Sequence, residues 1–343
     1  MKKNPTIRDV AKIAGVSNAT VSRILNHKPD VSENTRRKVL QTIEEIGYAK
    51  SAQWQQITSG KSRVISLHYP RKNVVNNLIS HDFIIGVSKA CEENDYSLHL
   101  ITKSLDEKTL LDLYRTNQSD GVILMEIRTQ DWRMELLREN QLPFVMIGHC
   151  EENVGASFID LDFKAAVIVA FDHLVALGHR NISYLPFPID SGRERFGPTV
   201  RASAGLQYAC QKHNVPQQTI EIGMQPTNIK DAILSLLNAF PQTTAIVSLL
   251  DVSLSEIYEA LATKGLRIPA DVSVVGLTND QGAHLISPNP TQIQFPSLEM
   301  GYEAGKMLIE ILESGTDNVI QNLIDPQLVV RASSGPVKVA NYP

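Results

Sequence analysis

Four residues near the start of the segment NATVSRIL (18–25) have the types and spacing to read the surface of another molecule: Asn18, Ala19, Ser22 and Arg23. On a helix they share one side, because positions three and four apart are neighbours. Arg23 can pair two N–H groups with the O6 and N7 of a guanine, and Asn18 and Ser22 carry short hydrogen-bonding groups. Ala19 can offer only an apolar contact, such as one with a thymine methyl. An ordinary solvent-facing helix would more often carry Glu/Lys pairs. The chemistry suggested is recognition of base edges and phosphates, with no bond made or broken.

Two short helices and a third must hold that side out. Thr6 can cap a first helix, with Asp9 three residues on as a short capping-box acid. Ile7, Val10, Ala11 and Ala14 then fall on one face, and Ala11 is small where helices would cross closely. Gly15 ends the helix at a position that favours φ > 0. Ser17 caps the second helix, whose Val21, Ile24 and Leu25 pack back on the first. A third is expected from Ser32, with apolar Val39, Leu40, Ile43 and Ile46 and Gly47 as terminator. Two short helices around a tight turn make a helix-turn-helix, whose second helix fits a major groove. Charge points the same way. The chain of 343 residues carries −4 overall, yet residues 1–63 hold twelve Lys/Arg against five Asp/Glu, or +7, leaving −11 for the rest. A basic head on an acidic body is the footprint of a polyanion-binding module. A helical hairpin or a solvated basic face alone would be ordinary; together they point to duplex DNA.

The stretch TIRDVAKIAGVSNATVSRILN, followed by VSENTRRKVLQTIEEIGY, resembles the headpiece of the lactose/galactose repressor (LacI/GalR) family of bacterial transcription regulators. The resemblance runs on to about residue 334. It implies that Ile7, Asn18, Ala19, Ser22 and Arg23 face base edges. It also implies that Thr6, Ser17, Thr20, Asn26, Ser32 and Thr35 hold phosphates, as hydroxyls at helix starts readily do. Residues 49–62, AKSAQWQQITSGKS, have the composition of a polar tether, whereas the family places a hinge helix here that pushes one aliphatic side chain into the minor groove. The matching position is Ile57, where the family usually has Leu; Lys50 and Ser51 replace its usual Pro-Asn pair, and Trp54 stands where Ala is usual.

From Arg63 onward, apolar strands alternate with helices of about a dozen residues. The strands expected are Val64–Tyr69, Tyr96–Ile101, Gly121–Met125, Phe144–Ile147, Ser157–Ile159, Ile182–Leu185, Ala245–Leu249 and Val272–Leu277. Such alternation predicts parallel sheets covered by helices, and so many strands suit two sheets better than one. With the resemblance, the fold expected is a small all-α helix-turn-helix headpiece plus an α/β periplasmic-binding-protein-like core of two doubly wound parallel-sheet lobes. The domains expected are 1–48 headpiece, 49–62 hinge or linker, 63–334 effector-binding and dimerisation core, and 335–343 tail. Lobe one covers about 63–160 plus 291–323, and lobe two 161–290 plus 324–334.

Open parallel sheets bind ligands at the carboxyl ends of their strands. Family members hold a sugar, or sometimes a nucleobase, there. ASAGLQYAC resembles the family's R-x-x-G-F-x-x-A-L and puts Ala202 at the usual Arg; the adjacent Arg201 would substitute on a one-residue shift of register. SLLDVSL supplies Leu250 and Asp251 where the family has Asn-Asp. VVGLTND matches the usual VVGYDD or VVGFDD, with Thr278 and Asn279 for the two acids, and Phe295 replaces a polar residue. The effector-binding residues expected are Arg201, Leu250, Asp251, Thr278 and Phe295. Fewer carboxylates and amides make a plain sugar less secure, and Arg193, Arg195 and Arg201 would suit an acidic or phosphorylated sugar derivative; as a loop they would simply be solvated.

Nucleotide-binding glycine motifs and a G-x-S-x-G elbow are absent, and His173 and His179 lie six apart, the wrong spacing for one helical face. No catalytic residue, metal ligand or cofactor is expected. The three cysteines, Cys91, Cys150 and Cys210, form no CxxC, and with no secretory or membrane-spanning run they suggest the cytoplasm. The function expected is a sequence-specific DNA-binding transcriptional regulator, a repressor of a carbohydrate-related catabolic operon. Its partners are near-palindromic double-stranded operator DNA, a small-molecule effector and a second copy in a homodimer, with no membrane. GPVKVANYP after Ser334 leaves no heptad helix for a tetramer. A cytoplasmic solute-binding protein and an enzyme-like α/β protein with a basic N-terminal segment are the competing readings.

Overall fold

The computed structural model describes residues 5–25, 31–46, 61–70, 78–186, 196–220, 229–249, 254–315 and 318–338. The chain divides into two compact units, Met1–Ser62 and Arg63–Pro343.

The first unit contains α1 (Ile7–Ala14), α2 (Asn18–Leu25) and α3 (Glu33–Ile46). Their core is small: Val10, Ala11, Ala14, Val21, Ile24 and Val39, with Ile7, Val16, Leu25, Ile43 and Ile46 packed against it. Each helix start has a polar side chain in place. The Asp9 carboxylate accepts from both the backbone N–H and the hydroxyl of Thr6, at 2.8 and 2.7 Å. Ser17 Oγ accepts from the Thr20 N–H at 3.1 Å, and Ser32 Oγ from the Thr35 N–H at 3.4 Å. Gly15 sits at φ 68° and closes α1 with its N–H on the Ala11 carbonyl, a left-handed conformation that a Cβ would penalise. Leu40, expected in the core, is 49% exposed, because α3 turns Val39, Thr42 and Ile43 inward and leaves Leu40 about 100° away from Val39.

The second unit holds two six-stranded sheets. The first contains β1 (Val64–His68), β2 (Ser97–Ile101), β3 (Gly121–Leu124), β4 (Phe144–Ile147), β5 (Ser157–Leu161) and β11 (Gln321–Ile324), all parallel, in the order β11-β5-β4-β3-β1-β2. The second contains β6 (Ile182–Leu185), β7 (Gln218–Thr219), β8 (Ala245–Ser248), β9 (Ser273–Thr278), β10 (Thr291–Gln294) and β12 (Gln327–Val329), in the order β12-β10-β9-β8-β6-β7. Only β12 runs antiparallel among these, against β10. Helices follow the strands in chain order: α4 (Leu78–Glu93), α5 (Glu107–Arg115), α6 (Trp132–Glu139), α7 (Phe163–Ala176), α8 (Gly197–His213), α9 (Ile229–Ala239), α10 (Leu254–Thr263), α11 (Asp280–His284) and α12 (Ser297–Ser314).

Both faces of each sheet are covered, which is why strands such as GVIL and FVMI are apolar throughout. Alternate residues go to opposite sides. Ile123, Val145 and Ile147 join one core with residues of α4 and α12, while Val122, Leu124 and Met146 join another with residues of α5 and α6. The expected boundary at residue 291 is corrected by β10: its four residues pair in parallel register with β9, so the chain returns to the first lobe only after Gln294. TQIQ has one apolar residue, the buried Ile293, and so carries little strand signal. The lobes are therefore joined at three crossings, after Leu161, after Gln294 and after Ile324.

Two features stiffen the first lobe. Helices α4 and α12 touch backbone to backbone: a Cβ on Gly86 would lie 2.2 Å from the Leu298 carbonyl oxygen, and one on Gly301 2.4 Å from that of Phe83. At the strand ends, buried Arg133 donates through Nε and Nη2 to the two oxygens of Asp131, at 2.9 and 2.6 Å. Arg133 Nη1 also donates to His68 Nδ1 at 3.1 Å, which leaves His68 Nε2 to donate to the Lys103 carbonyl at 3.2 Å. Burial, with help from the Arg133 charge, pushes His68 down to about 4, so it stays neutral. Burial pushes the Asp131 carboxyl up, but the hydrogen bonds and charge of Arg133 outweigh it and hold the group below its ordinary value.

Because His68 titrates near 6.5 when unfolded and about 4 when folded, the unfolded chain takes up its proton first. Stability should be full above pH 6.5 and fall as pH drops toward 4, by up to about 3 kcal/mol at roughly 1.4 kcal/mol per pH unit. Urea melts across that range should show the loss, and His68→Gln should flatten it. Gly86→Ala forces two backbones apart and should destabilise the second unit by about 1–3 kcal/mol, read as a lowered urea midpoint.

Candidate nucleic-acid interface and ligand cleft

The first unit sets out one polar side. Asn18, Ala19 and Arg23 of α2 are exposed, and Ser22 is half-buried beside them, while Val21 and Ile24 of the same helix are buried. Burying Val21 and Ile24 on α1 and α3 fixes the rotation of α2 and so fixes which residues face out. The helix starts of the same unit carry hydroxyls. Ser17 and Ser32 are exposed, Thr20 and Thr35 half-buried, and the pairs Ser17–Thr20 and Ser32–Thr35 are joined hydroxyl to hydroxyl at 2.9 and 2.8 Å. Thr6 is exposed and Ile7 half-buried. Backbone N–H groups at helix starts, with a hydroxyl alongside, suit phosphate oxygens. The basic residues Arg8, Lys12, Arg23, Arg37 and Lys38 are exposed on the same small unit. Asn26 and Ile57 lie outside the described residues.

In the second unit the carboxyl ends of both sheets meet at the lobe junction. Arg201 of α8 reaches across it. Its Nη2 donates to the His149 carbonyl at 2.6 Å and to the Cys150 carbonyl at 3.3 Å, just beyond β4. Its Nη1 stands 3.8 Å from Asp160 Oδ2 at the end of β5, which also binds His149 Nδ1 at 2.8 Å. Gly197 makes room for this guanidinium, since a Cβ there would lie 2.3 Å from Arg201 Nη1. The backbone ties the lobes as well: the Gly197 N–H donates to the Ile127 carbonyl at 3.0 Å, and Phe196 forms an isolated bridge with Arg128. Arg201 Nη1 and the Thr199 hydroxyl are buried and find no hydrogen-bond partner among the described residues. An unmet buried donor costs about 1–3 kcal/mol, so each of these groups is suited to a polar partner atom.

Ala202, at the position where the resemblance expects Arg, is 1% exposed and packs in the core, so Arg201 alone of the two faces the junction. Thr278 is buried at the end of β9, its carbonyl accepting from the Phe295 N–H at 3.0 Å. Phe295 is 9% exposed and held edge-on between Phe83 and Phe163, at 5.7 and 6.0 Å, so it packs the junction. Leu250 and Asp251, like Arg193 and Arg195, lie outside the described residues. His149, Asp160 and Thr199 escaped the sequence reading, although the first two follow directly from where β4 and β5 end. No group of three or more His, Cys, Asp or Glu that could hold a metal occurs among the described residues, and no helix there is long and apolar enough to cross a membrane.

Comparison with known proteins gives the same two parts in the same order. Residues 6–51 match the model of bacterial regulatory proteins of the lacI family, and residues 171–334 match a periplasmic binding protein-like domain. The HTH-type transcriptional regulator CelR of Thermobifida fusca is 28% identical, with 97% of this chain and 99% of CelR covered. The probable HTH-type transcriptional repressor ExuR of Bacillus subtilis is 27% identical over 96% and 98%. Among solved structures, the lac repressor dimer bound to operator and the anti-inducer ONPF superimposes with a TM-score of 0.83, at 21% identity, covering 97% of this chain and 100% of that one. The CelR–cellobiose complex superimposes at 0.71 and 24% identity, covering 96% and 99%. With a lacI headpiece ahead of a binding-protein core, and relatives alike from end to end, the chain belongs to the lacI family of bacterial regulatory proteins.

Proposed function

We propose that the protein is a transcriptional repressor whose α2 enters the major groove of operator DNA and whose lobes close on a sugar or sugar derivative. That it is a helix-turn-helix regulator of the kind that controls sugar-related operons follows from its family and relatives, among them a ribose operon repressor. The observation that carries the DNA reading is the exposed side of α2, where Asn18, Ala19 and Arg23 are solvent-exposed beside buried Val21 and Ile24. Phosphate contacts from the hydroxyls at the helix starts would fix register, and base contacts would supply sequence choice.

The ligand reading is carried by Arg201. Its spare Nη1 and the Thr199 hydroxyl would donate to ligand oxygens, and Asp160 would accept from a ligand hydroxyl. The CelR–cellobiose complex, similar to this chain over 96% of its length, supports a sugar as the ligand. A homodimer is supported by the dimeric lac repressor and by the symmetry of two half-sites. Ligand binding would alter lobe closure, and the coupling is reciprocal: a ligand that weakens operator binding is itself held more weakly by the DNA complex. This work is cytoplasmic and requires no catalytic step.

A gel shift against the region upstream of the protein's own gene tests the DNA reading. Arg23→Ala should weaken retardation about tenfold or more, as loss of a bidentate base contact costs about 1–3 kcal/mol. Lys230→Ala, on the surface of the second unit, should leave it unchanged, and affinity should fall steeply with salt. Absence of retardation even at low salt would refute the reading. For the ligand, a thermal-shift panel of neutral sugars, sugar acids and sugar phosphates should find a compound that stabilises the protein by about 2.7 kcal/mol at 100 times its Kd. Arg201→Ala should abolish that gain; a gain that persists in the variant removes Arg201 from the site.

A further inference from the structure

The first lobe's Asp82, on α4, meets the second lobe's Asn279, the residue that starts α11 at the end of β9. Asn279 Nδ2 donates to Asp82 Oδ2 at 2.6 Å, and the Ser297 hydroxyl donates to the same oxygen at 2.8 Å. Ser297 opens α12, which is already locked to α4, so the Ser297 bond is internal to the first lobe and the Asn279 bond crosses between lobes. The other end of the Asn279 amide is occupied too: Oδ1 accepts from the Gly282 N–H at 2.7 Å and caps α11. Asn279 is 6% exposed and Ser297 fully buried.

This geometry calls for an amide. A carboxylate at 279 could still cap α11, but it would face the Asp82 carboxylate at hydrogen-bond distance, and two such groups cannot both stay ionised there. The family's usual VVGYDD has an acid at this place, where VVGLTND has Asn279. The contact also lies beside a crossing, since Phe83, next to Asp82, packs on Phe295. A tie so near a hinge limits the angle through which the lobes can turn.

We propose that Asp82 and Asn279 form an interlobe clasp that sets the resting closure of the core, and that Asn279 is thereby committed to the clasp and withheld from the ligand. Its regulatory meaning rests on the repressor reading; the closure itself needs neither DNA nor ligand. Opening the clasp frees the lobes to turn about the three crossings, and the remaining ties, Gly197 to Ile127 and Arg201 to His149, then part more often.

Hydrogen exchange on the full-length protein, without ligand or DNA, reads this at the Gly197 amide, which donates across the lobes from an element that carries neither clasp residue. Asn279→Asp should speed exchange there about tenfold or more, while amides inside the second sheet, such as those of Ile246 and Val274, stay protected. Asp82→Ala, which removes the acceptor without adding a charge, should speed it at least about threefold. The exchanged pair D82N/N279D restores amide against carboxylate and should return the rate to within about threefold of the parent. The clasp is refuted if neither single variant alters exchange at Gly197, if the sheet amides lose protection equally, or if the exchanged pair stays fast with the sheet intact. DNA retardation is scored separately through Arg23, so failure of the repressor reading and failure of the clasp are told apart.

Discussion

Phe295 is held edge-on between Phe83 of the first lobe and Phe163 at the start of α7, where the chain crosses between its sheets. Aromatic edges packed this way resist sliding yet tolerate small rotations, because the contact is apolar and carries no directional bond. Around that pivot the polar contacts are directional: Asn279 to Asp82, Gly197 to Ile127, Arg201 to the carbonyls beyond β4. The core is thus built from two sheets, an apolar joint and a few polar ties between the lobes. A ligand entering the junction would compete with ties already in place, and its grip and the lobe angle would then be one equilibrium.

Much of this was legible in residue order. Strands such as Phe144–Ile147 and Ile182–Leu185 announce themselves because both faces are covered and the side chains are mostly apolar, Ser183 being the polar one. The strand Thr291–Gln294 did not, since Gln292 is polar and its partner Asp280, which also accepts from Arg331, is supplied from outside the strand. The pattern within a strand cannot report a partner that lies outside it. The headpiece was read almost residue by residue because its signals are local: a cap, a left-handed glycine, a buried triplet. Leu40 is the exception there, an apolar residue that the short α3 interface has no room to cover.

The junction was the least legible part. One residue of register decides whether Arg201 or Ala202 points at the first lobe, and sequence alone left both open; the packing of Ala202 against the core settles the orientation of that turn. His149 and Asp160 became visible only once strand ends were placed, since neither belongs to a motif. The buried Arg133–Asp131–His68 set is similar, three ordinary-looking residues whose pairing spans 65 positions.

Helices α4 and α12 meet with no side chain between their backbones at Gly86 and Gly301, and Asp82 and Ser297 sit at the adjoining ends of that contact. Such a joint has no slack. A pull delivered through Asn279 would reach α4 at Asp82, and the close backbone contact would carry α12 with it as one lever arm.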